Sequence, residues 1–229
     1  MNIFITILSC SFLGVLNSCQ PPVVFVEPQP VGVESISSIP ESYMGIYWCK
    51  IDSVSLFVDD KAFIKSKELL LSMTIEEIEA DPDLELQNGK IYVRSWDQSF
   101  PIESKGDTII SKIIIKDTLF VISPEQILKP FKGYLILNTK LDENVWGVML
   151  VSHEGEGILS LAYAELPENL SVLDSITPVE TLAKKDNIET QILIRPTREE
   201  FEQILKNRIL FDASYYEFER TFPLKTYGF

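Results

Sequence analysis

"GYLILNTKLDENVWGVMLVSHEGEGILSLAYAEL", residues 133–166, contains three apolar segments of strand length, Gly133–Leu141, Asn144–Ser152 and Gly157–Leu166. Each segment is rich in aliphatic, aromatic or β-branched residues, and short polar stretches with Asp, Asn or Gly separate them. Such segments joined by short turns predict a three-stranded antiparallel meander. This part of the chain therefore indicates a mainly β fold.

Shorter apolar segments continue the pattern on both sides of the meander. Asn88-Gly89 separates two of them and predicts a tight hairpin turn, because both residues accept positive φ. Residues 107–123 hold two apolar runs interrupted at Lys116-Asp117, which predict a buried central hairpin. Residues 177–183 and 188–196 predict a final pair of strands. We expect antiparallel sheets with a few short helices.

This β-rich globular domain is expected over residues 43–229. The sequence leaves open whether it forms one unit or two packed halves, at about 43–130 and 131–229.

Two short helices are predicted before and after the meander. The first begins at Thr74, which forms a capping box with Glu77, and it ends before Pro82. The second comprises one or two turns within residues 166–176.

The longer amphipathic helix is predicted near the C-terminus, at Thr197–Leu205. Thr197 is the N-cap and Glu200 completes the capping box. Phe201, Ile204 and Leu205 form one apolar stripe, which predicts burial against the sheet.

The pentapeptide EQILK occurs twice, at Glu125–Lys129 and at Glu202–Lys206. The second copy belongs to the predicted C-terminal helix. The first lies between Pro124 and Pro130, which predicts little more than one helical turn. A decayed duplication and local convergence both explain the repeat.

The first eighteen residues contain no charged side chain. Their apolar run, Ile3–Leu16, is shorter than the roughly 20 residues that span a bilayer, so it is interpreted as a signal peptide. The following "LNSC", Leu16–Cys19, resembles a bacterial lipobox. This resemblance implies cleavage before Cys19 and lipid attachment to that residue. The alternative is an ordinary secretory signal.

Residues 19–42 are rich in proline, which favours extended chain and predicts a tether between the lipid and the domain. The alternative is that Val23–Val26 forms an edge strand of the domain.

The formal net charge of −14 disfavours nucleic acid as a partner and also repels anionic lipid head groups. The acyl anchor would then hold the protein at the membrane. Without Cys10 and Cys19, the mature chain retains only Cys49, so no intramolecular disulfide is expected. The apolar surroundings of Cys49 predict a buried, unreactive thiol.

No residue is assigned a catalytic, cofactor-binding or metal-binding role. His153 is the only histidine and is expected to be a solvated turn residue. Asp81, Asp83 and Glu85 have the spacing that begins a calcium loop, but Leu86 replaces the glycine that such a loop needs. A solvated acidic turn is the alternative interpretation.

Four Asp-Ser or Asp-Thr pairs precede an apolar residue. They resemble the acceptor of general O-glycosylation in Bacteroidota, although ordinary turns explain the same pattern. The resemblance implies glycans on Ser53, Thr108, Thr118 and Ser175.

The C-terminal Tyr227-Gly228-Phe229 resembles the sorting signal of outer-membrane barrels, although short, charged strands argue against a barrel. We expect its rings to close the core or to contact a partner.

Most of the chain resembles uncharacterised lipoproteins of the Bacteroidota. The resemblance rests on the lipobox and on residues 131–138, 159–170 and 195–205, "FKGYLILN", "LSLAYAELPENL" and "RPTREEFEQIL". It implies no activity.

The expected function is therefore a non-catalytic binding or scaffold role in the cell envelope, with a lipid anchor in the outer membrane that faces the periplasm and an envelope protein as partner. A small-ligand carrier with a lipocalin-like cavity is one alternative. A carboxylate-dependent hydrolase is the other.

Overall fold

The computed structural model describes residues 21–154, 157–182, 191–211 and 216–222. Its mainly β architecture confirms the predicted fold class. The helices are α1 (Ile75–Ala80), α2 (Leu170–Asp174) and α3 (Arg198–Lys206), with a 3-10 turn at Arg94–Trp96. The strands are β1 (Val23–Phe25), β2 (Gly45–Cys49), β3 (Val54–Val58), β4 (Ala62–Thr74), β5 (Leu84–Gln87), β6 (Lys90–Val93), β7 (Gln98–Lys105), β8 (Thr108–Val121), β9 (Gln126–Phe131), β10 (Tyr134–Asp142), β11 (Val145–Glu154), β12 (Ile158–Tyr163), β13 (Val179–Leu182), β14 (Gln191–Ile194) and β15 (Tyr216–Phe222).

The predicted meander is confirmed, and it lies at the centre of the molecule. Strands β10, β11 and β12 pair antiparallel in sequence, with Leu135 opposite Val151 and Leu150 opposite Ala162. Strand β9 extends this sheet on the far side of β10. The predicted pair β13 and β14 is also present and antiparallel.

The central strands are apolar on both faces because a core packs on each side of them. The first core lies on the face that carries α3, and it includes Phe25, Ile136, Trp146, Val148, Leu150, Ile192, Ile194, Phe201 and Ile204. The second core lies on the opposite face, and it includes Tyr47, Leu56, Phe63, Phe120, Leu128, Leu135, Leu137, Val151, Leu159 and Phe218.

Helix α3 covers the first core as its sequence predicts. Thr197 caps it and forms the capping box with Glu200, and Phe201, Ile204 and Leu205 are buried. The ring of Phe201 packs edge to face against Phe25 at a centroid distance of 6.1 Å. Burial of this stripe, rather than helix propensity alone, stabilises such a short helix.

The cores are not divided at residue 130. The second core combines side chains from Ile39 to Phe218, and β15 pairs with both β12 and β2, so it joins the two ends of the chain. The boundary between the cores is the meander itself.

The tether prediction is wrong for the segment that begins at Val23. Residues 23–25 form β1, which is fully buried between β14, its parallel partner, and β11, where Phe25 lies opposite Trp146. The strand alternative is correct, but β1 lies inside the sheet rather than at its edge. Three adjacent apolar residues outweigh the neighbouring prolines, because those prolines lie outside the paired segment.

The chain after β1 also packs on the domain. Ile36 forms a bridge with Leu128, and the backbone N–H of Ile39 donates to Asp60 O at 2.9 Å. The helical turns predicted within residues 166–176 form the single short helix α2. Cys19, the predicted lipidation site, lies outside the described residues.

The predicted central hairpin at residues 107–123 is wrong, because these residues form the single long strand β8. Lys116 and Asp117 continue the strand opposite Ser66 and Lys65 of β4. Neither residue supplies the positive φ that a tight hairpin turn needs. Strand β4 is similarly one element of 13 residues.

Strands β4 and β8 lead out of the main sheet to a small distal module, which contains α1 and β5–β7. The module has its own core of Ile78, Ile91 and Ile109. The predicted capping box of α1 and the Asn88-Gly89 hairpin turn are confirmed, the latter with φ angles of 51° and 73°.

The first EQILK segment is not a helical turn. Residues 126–131 form β9, in which Leu128 is buried in the second core and Ile127 faces the first. The last four residues of the pentapeptide therefore lie in a strand in one place, and all five lie at the end of α3 in the other.

None of the helices in the described ranges is long and apolar enough to span a membrane.

Candidate functional site

The middle of the β4–β8 ribbon has no neighbouring strand on either outer edge among the described residues. Strand β3 pairs with β4 only as far as Val54 opposite Lys67. Strand β7 pairs with β8 only as far as Ile102 opposite Ser111. Between these limits, each ribbon strand pairs only with the other within the described ranges.

Four large apolar side chains of this middle section face solvent, and we call them the mid-ribbon patch. Leu70 is 69% exposed and Ile114 is 52% exposed. Leu69 and Ile115 are 37% and 41% exposed. The register places Leu70 and Ile114 on one face and Leu69 and Ile115 on the other, because side chains alternate along a strand.

A groove of about 360 Å³ adjoins the first of these faces. Its position follows from the sheet register, since Trp48 lies opposite Ser55 and Ser55 lies opposite Ser66. These three side chains form one row on the outer surface of the sheet. The groove is lined by Trp48, Ser53, Ser55, Ser66, Glu68, Leu70 and Ile114.

Two exposed ion pairs lie on this side of the molecule. Lys112 and Glu68 are 2.7 Å apart across the ribbon, and Lys50 and Glu219 are 2.7 Å apart near the β2–β3 turn. Exposed pairs of this kind contribute about 0–1 kcal/mol to stability. Their main effect is therefore on the local charge pattern rather than on the fold.

A buried tyrosine fixes the sheet that carries the groove. Arg220 Nε donates to the Tyr47 hydroxyl at 3.2 Å, and that hydroxyl donates to Tyr43 O at 2.7 Å. Burial raises the pKa of Tyr47, although the guanidinium of Arg220 acts in the opposite direction. This arrangement holds β15 against β2, and Tyr47 itself belongs to the second core.

The four predicted glycosylation positions lie apart from one another. Ser53 is exposed in the β2–β3 turn and lines the groove, and Thr118 is exposed on β8. Ser175 is exposed after α2, where its hydroxyl donates to Val172 O at 2.7 Å. Thr108 is half-buried at the start of β8. Glycosylation of these residues stays a prediction, as does lipidation of Cys19.

His153 is not a solvated turn residue. It lies in β11 opposite Leu159, is half-buried, and packs edge to face against Tyr43 at a centroid distance of 5.7 Å. The predicted burial of Cys49 is confirmed, since Cys49 is only 2% exposed. The C-terminal Tyr227 and Phe229 lie outside the described residues.

The acidic segment that resembles a calcium loop is occupied by local hydrogen bonds. Asp83 accepts from the backbone N–H and hydroxyl of Ser95, at 2.7 and 2.6 Å. Asp81 accepts from the backbone N–H of Asp83 at 2.9 Å. Across the described ranges, no three His, Cys, Asp or Glu side chains are placed to share a metal ion.

Sequence reasoning did not find the mid-ribbon patch, because "LLL" at Leu69–Leu71 and "III" at Ile113–Ile115 indicate burial. The sequence does contain a signal for exposure, because charged residues lie next to both apolar runs. When the two runs pair as neighbouring strands, apolar side chains lie on both faces of the ribbon. Ile113 of the second run is indeed buried, at 4% exposure, whereas its neighbours Ile114 and Ile115 are exposed.

Comparisons of the chain with protein-family models, curated proteins and solved structures give no significant match.

Proposed function

We propose that this chain is a non-catalytic binding protein of the cell envelope, which contacts a partner protein through the mid-ribbon patch and the adjoining groove. The observation that carries the proposal is the exposure of Leu70 and Ile114, at 69% and 52%, on one face of a ribbon whose middle pairs with no further strand in the described ranges. Clustered exposed apolar side chains with polar neighbours are typical of interaction sites.

The filled second core favours this function over the small-ligand carrier. A lipocalin-like carrier needs a cavity between its strands. Here Leu56, Phe63, Phe120 and Leu135 occupy the space between the strands and are at most 2% exposed. The groove lies on the outer surface instead, where a protein partner has direct access.

The placement of the carboxylates does not favour the hydrolase. A general acid of that class needs a carboxyl group with a raised pKa, usually produced by burial. Within the described ranges, no Asp or Glu is among the buried residues.

The anchor is the second part of the proposal. Lipid on Cys19 would place the domain at the outer membrane, on the side that faces the periplasm. Gln191 Nε2 donates to Pro21 O at 2.9 Å, so the chain is already fixed to the domain close to Cys19. The domain would then lie close to the membrane surface, because the folded part begins a few residues after the lipid.

The anchor is tested by the intact mass of membrane-extracted protein, with Cys19→Ala as the control. We expect loss of residues 1–18 and addition of acyl chains to the wild-type chain only. An unacylated mature chain would contradict the anchor and leave the binding surface unaffected.

The binding surface is tested by a photocrosslinking phenylalanine analogue at position 70 of the full chain, in intact envelopes. Position 172 is the matched control, because Val172 is also an exposed apolar residue, at 46%, and lies on α2. We expect one discrete protein adduct from position 70 and none of that mass from position 172. Equal adduct patterns from both positions would reject the proposed surface.

A further inference from the structure

The mid-ribbon section has an open backbone edge beside its apolar side chains. Strand β3 ends at Val54 opposite Lys67, whereas β4 continues to Thr74. Within the described ranges, no other strand pairs with β4 on that side between Glu68 and Ser72. Alternate residues of this edge present unpaired N–H and C=O groups, which are a template for an added strand.

The groove lies directly beside this edge. Glu68 and Leu70 belong both to the edge and to the groove lining, and Ser53 of that lining immediately precedes β3. A strand added beside Glu68–Ser72 would continue the line of β3. Its side chains on that face would lie next to Leu70 and the groove, and those on the other face would lie next to Leu69.

The charge at one end of the edge is strongly acidic. Helix α1 begins directly after β4, and it carries Glu76, Glu77 and Glu79, all exposed. Glu77 is held in the capping box by Thr74, whose backbone N–H donates to it at 2.8 Å. Glu76 and Glu79 are left on the surface of α1, where they would attract basic residues of a bound segment.

We propose that the open edge of β4 at Glu68–Ser72 binds an extended segment of the partner protein as an added antiparallel strand. The segment has apolar residues at alternate positions, which lie next to Leu70 and the groove, and a basic N-terminal end that lies beside α1. This inference rests on the proposed binding function and names the chemistry of its partner. Backbone hydrogen bonds supply the affinity in this mode, and alternate side chains supply the specificity.

The antiparallel direction follows from the neighbouring strand and from the energetics of strand pairing. Strand β3, which occupies the same edge up to Lys67, is antiparallel to β4. Antiparallel pairing is also slightly more stable per residue than parallel pairing. In that direction, the N-terminus of the segment lies at the end of β4 that leads into α1.

The probe is a fluorescent peptide of sequence Lys-Lys-Val-Thr-Val-Thr-Val, titrated against the full mature chain. Its controls are Glu-Glu-Val-Thr-Val-Thr-Val and the probe with every valine and threonine amide N-methylated, which leaves no strand N–H to donate to β4 from either edge. The protein variants are Leu70→Ser at the edge and Val172→Ser on α2, both at exposed apolar positions. Amide hydrogen exchange then locates the bound peptide.

We expect saturable binding of the probe with a Kd below about 1 mM. Leu70→Ser should weaken it about tenfold, because part of the buried apolar contact is lost, whereas Val172→Ser should leave it unchanged. Exchange should slow at Glu68–Ser72. The glutamate peptide should bind more weakly, and the N-methylated peptide should not saturate.

Three results would overturn the inference. They are the absence of saturable binding, equal binding of the lysine and glutamate peptides, and protection of residues 112–120 of β8 in place of Glu68–Ser72. If position 70 still crosslinks one envelope protein while the probe does not bind, the proposed function stands and the strand-addition mode is wrong. If both experiments fail, the surface itself is rejected.

Discussion

Asn138 and Gln29 exchange two hydrogen bonds across 109 residues of chain. The backbone N–H of Gln29 donates to Asn138 Oδ1 at 2.6 Å, and Asn138 Nδ2 donates to Gln29 O at 2.9 Å. Both residues are 0% exposed. The side chain of Asn138 therefore pairs with the N-terminal segment as a backbone strand would. These bonds fix that segment to the face of the meander that carries the first core and α3.

We expect Asn138→Ala to lower the free energy of unfolding by about 2 kcal/mol, because it leaves buried backbone groups of Gln29 without a partner. Lys140→Ala is the control on the same strand, with an expected change within about 0.5 kcal/mol since Lys140 is exposed. Chemical denaturation measures both. Equal stability of the two variants would mean that the hydrogen bonds between Asn138 and Gln29 do not stabilise the fold.

The mid-ribbon patch should contribute little to folding. Leu70→Ser and Ile114→Ser are each expected to change the free energy of unfolding by no more than about 0.5 kcal/mol, because neither side chain is buried. Leu56→Ala, in the second core, should cost about 2–5 kcal/mol. A large loss in the patch variants would show that these residues stabilise the chain, which would remove the argument for a binding role.

Stability should fall in alkaline solution. Burial raises the pKa of Tyr163 above its usual value of 10.0. A raised folded-state pKa stabilises the fold below the unfolded pKa, and this stabilisation is lost as the pH rises through the folded-state value. Thermal unfolding from pH 7 to above about 10 should therefore show a decline, and Tyr163→Phe should make the decline shallower. An unchanged slope in the variant would contradict the burial of this hydroxyl.

The two EQILK segments should differ as isolated peptides. In trifluoroethanol, circular dichroism of a peptide of residues 197–208 should show helix, because it retains the capping box of Thr197 and Glu200. A peptide of residues 124–131 should not, since Pro130 cannot donate the hydrogen bond that a helix interior needs. Equal helicity would mean that tertiary contacts alone separate the two copies.

The elements that sequence reasoning predicted correctly depend on local chemistry. The capping boxes of α1 and α3 and the Asn88-Gly89 turn each depend on residues within four positions of one another. The meander also follows from local segments, because short turns leave neighbouring strands little choice but to pair.

The elements that it missed depend on distant partners. Strand β1 exists because β14 and β11 lie on either side of it, more than 100 residues further along the chain. The exposure of Ile114 results from where β3 and β7 end, which no pattern in residues 107–123 encodes. The burial of Leu128 in a strand likewise depends on β10, since its pentapeptide also forms a helix.

Thiol labelling tests whether a partner in the envelope covers the mid-ribbon patch. Leu70→Cys and Val172→Cys are labelled in the purified chain and in intact envelopes, with little background from Cys49 because it is buried. We predict that both thiols react readily in the purified chain and that position 70 alone becomes several-fold slower in envelopes. Equal reactivity of positions 70 and 172 in envelopes would show that no partner covers the patch.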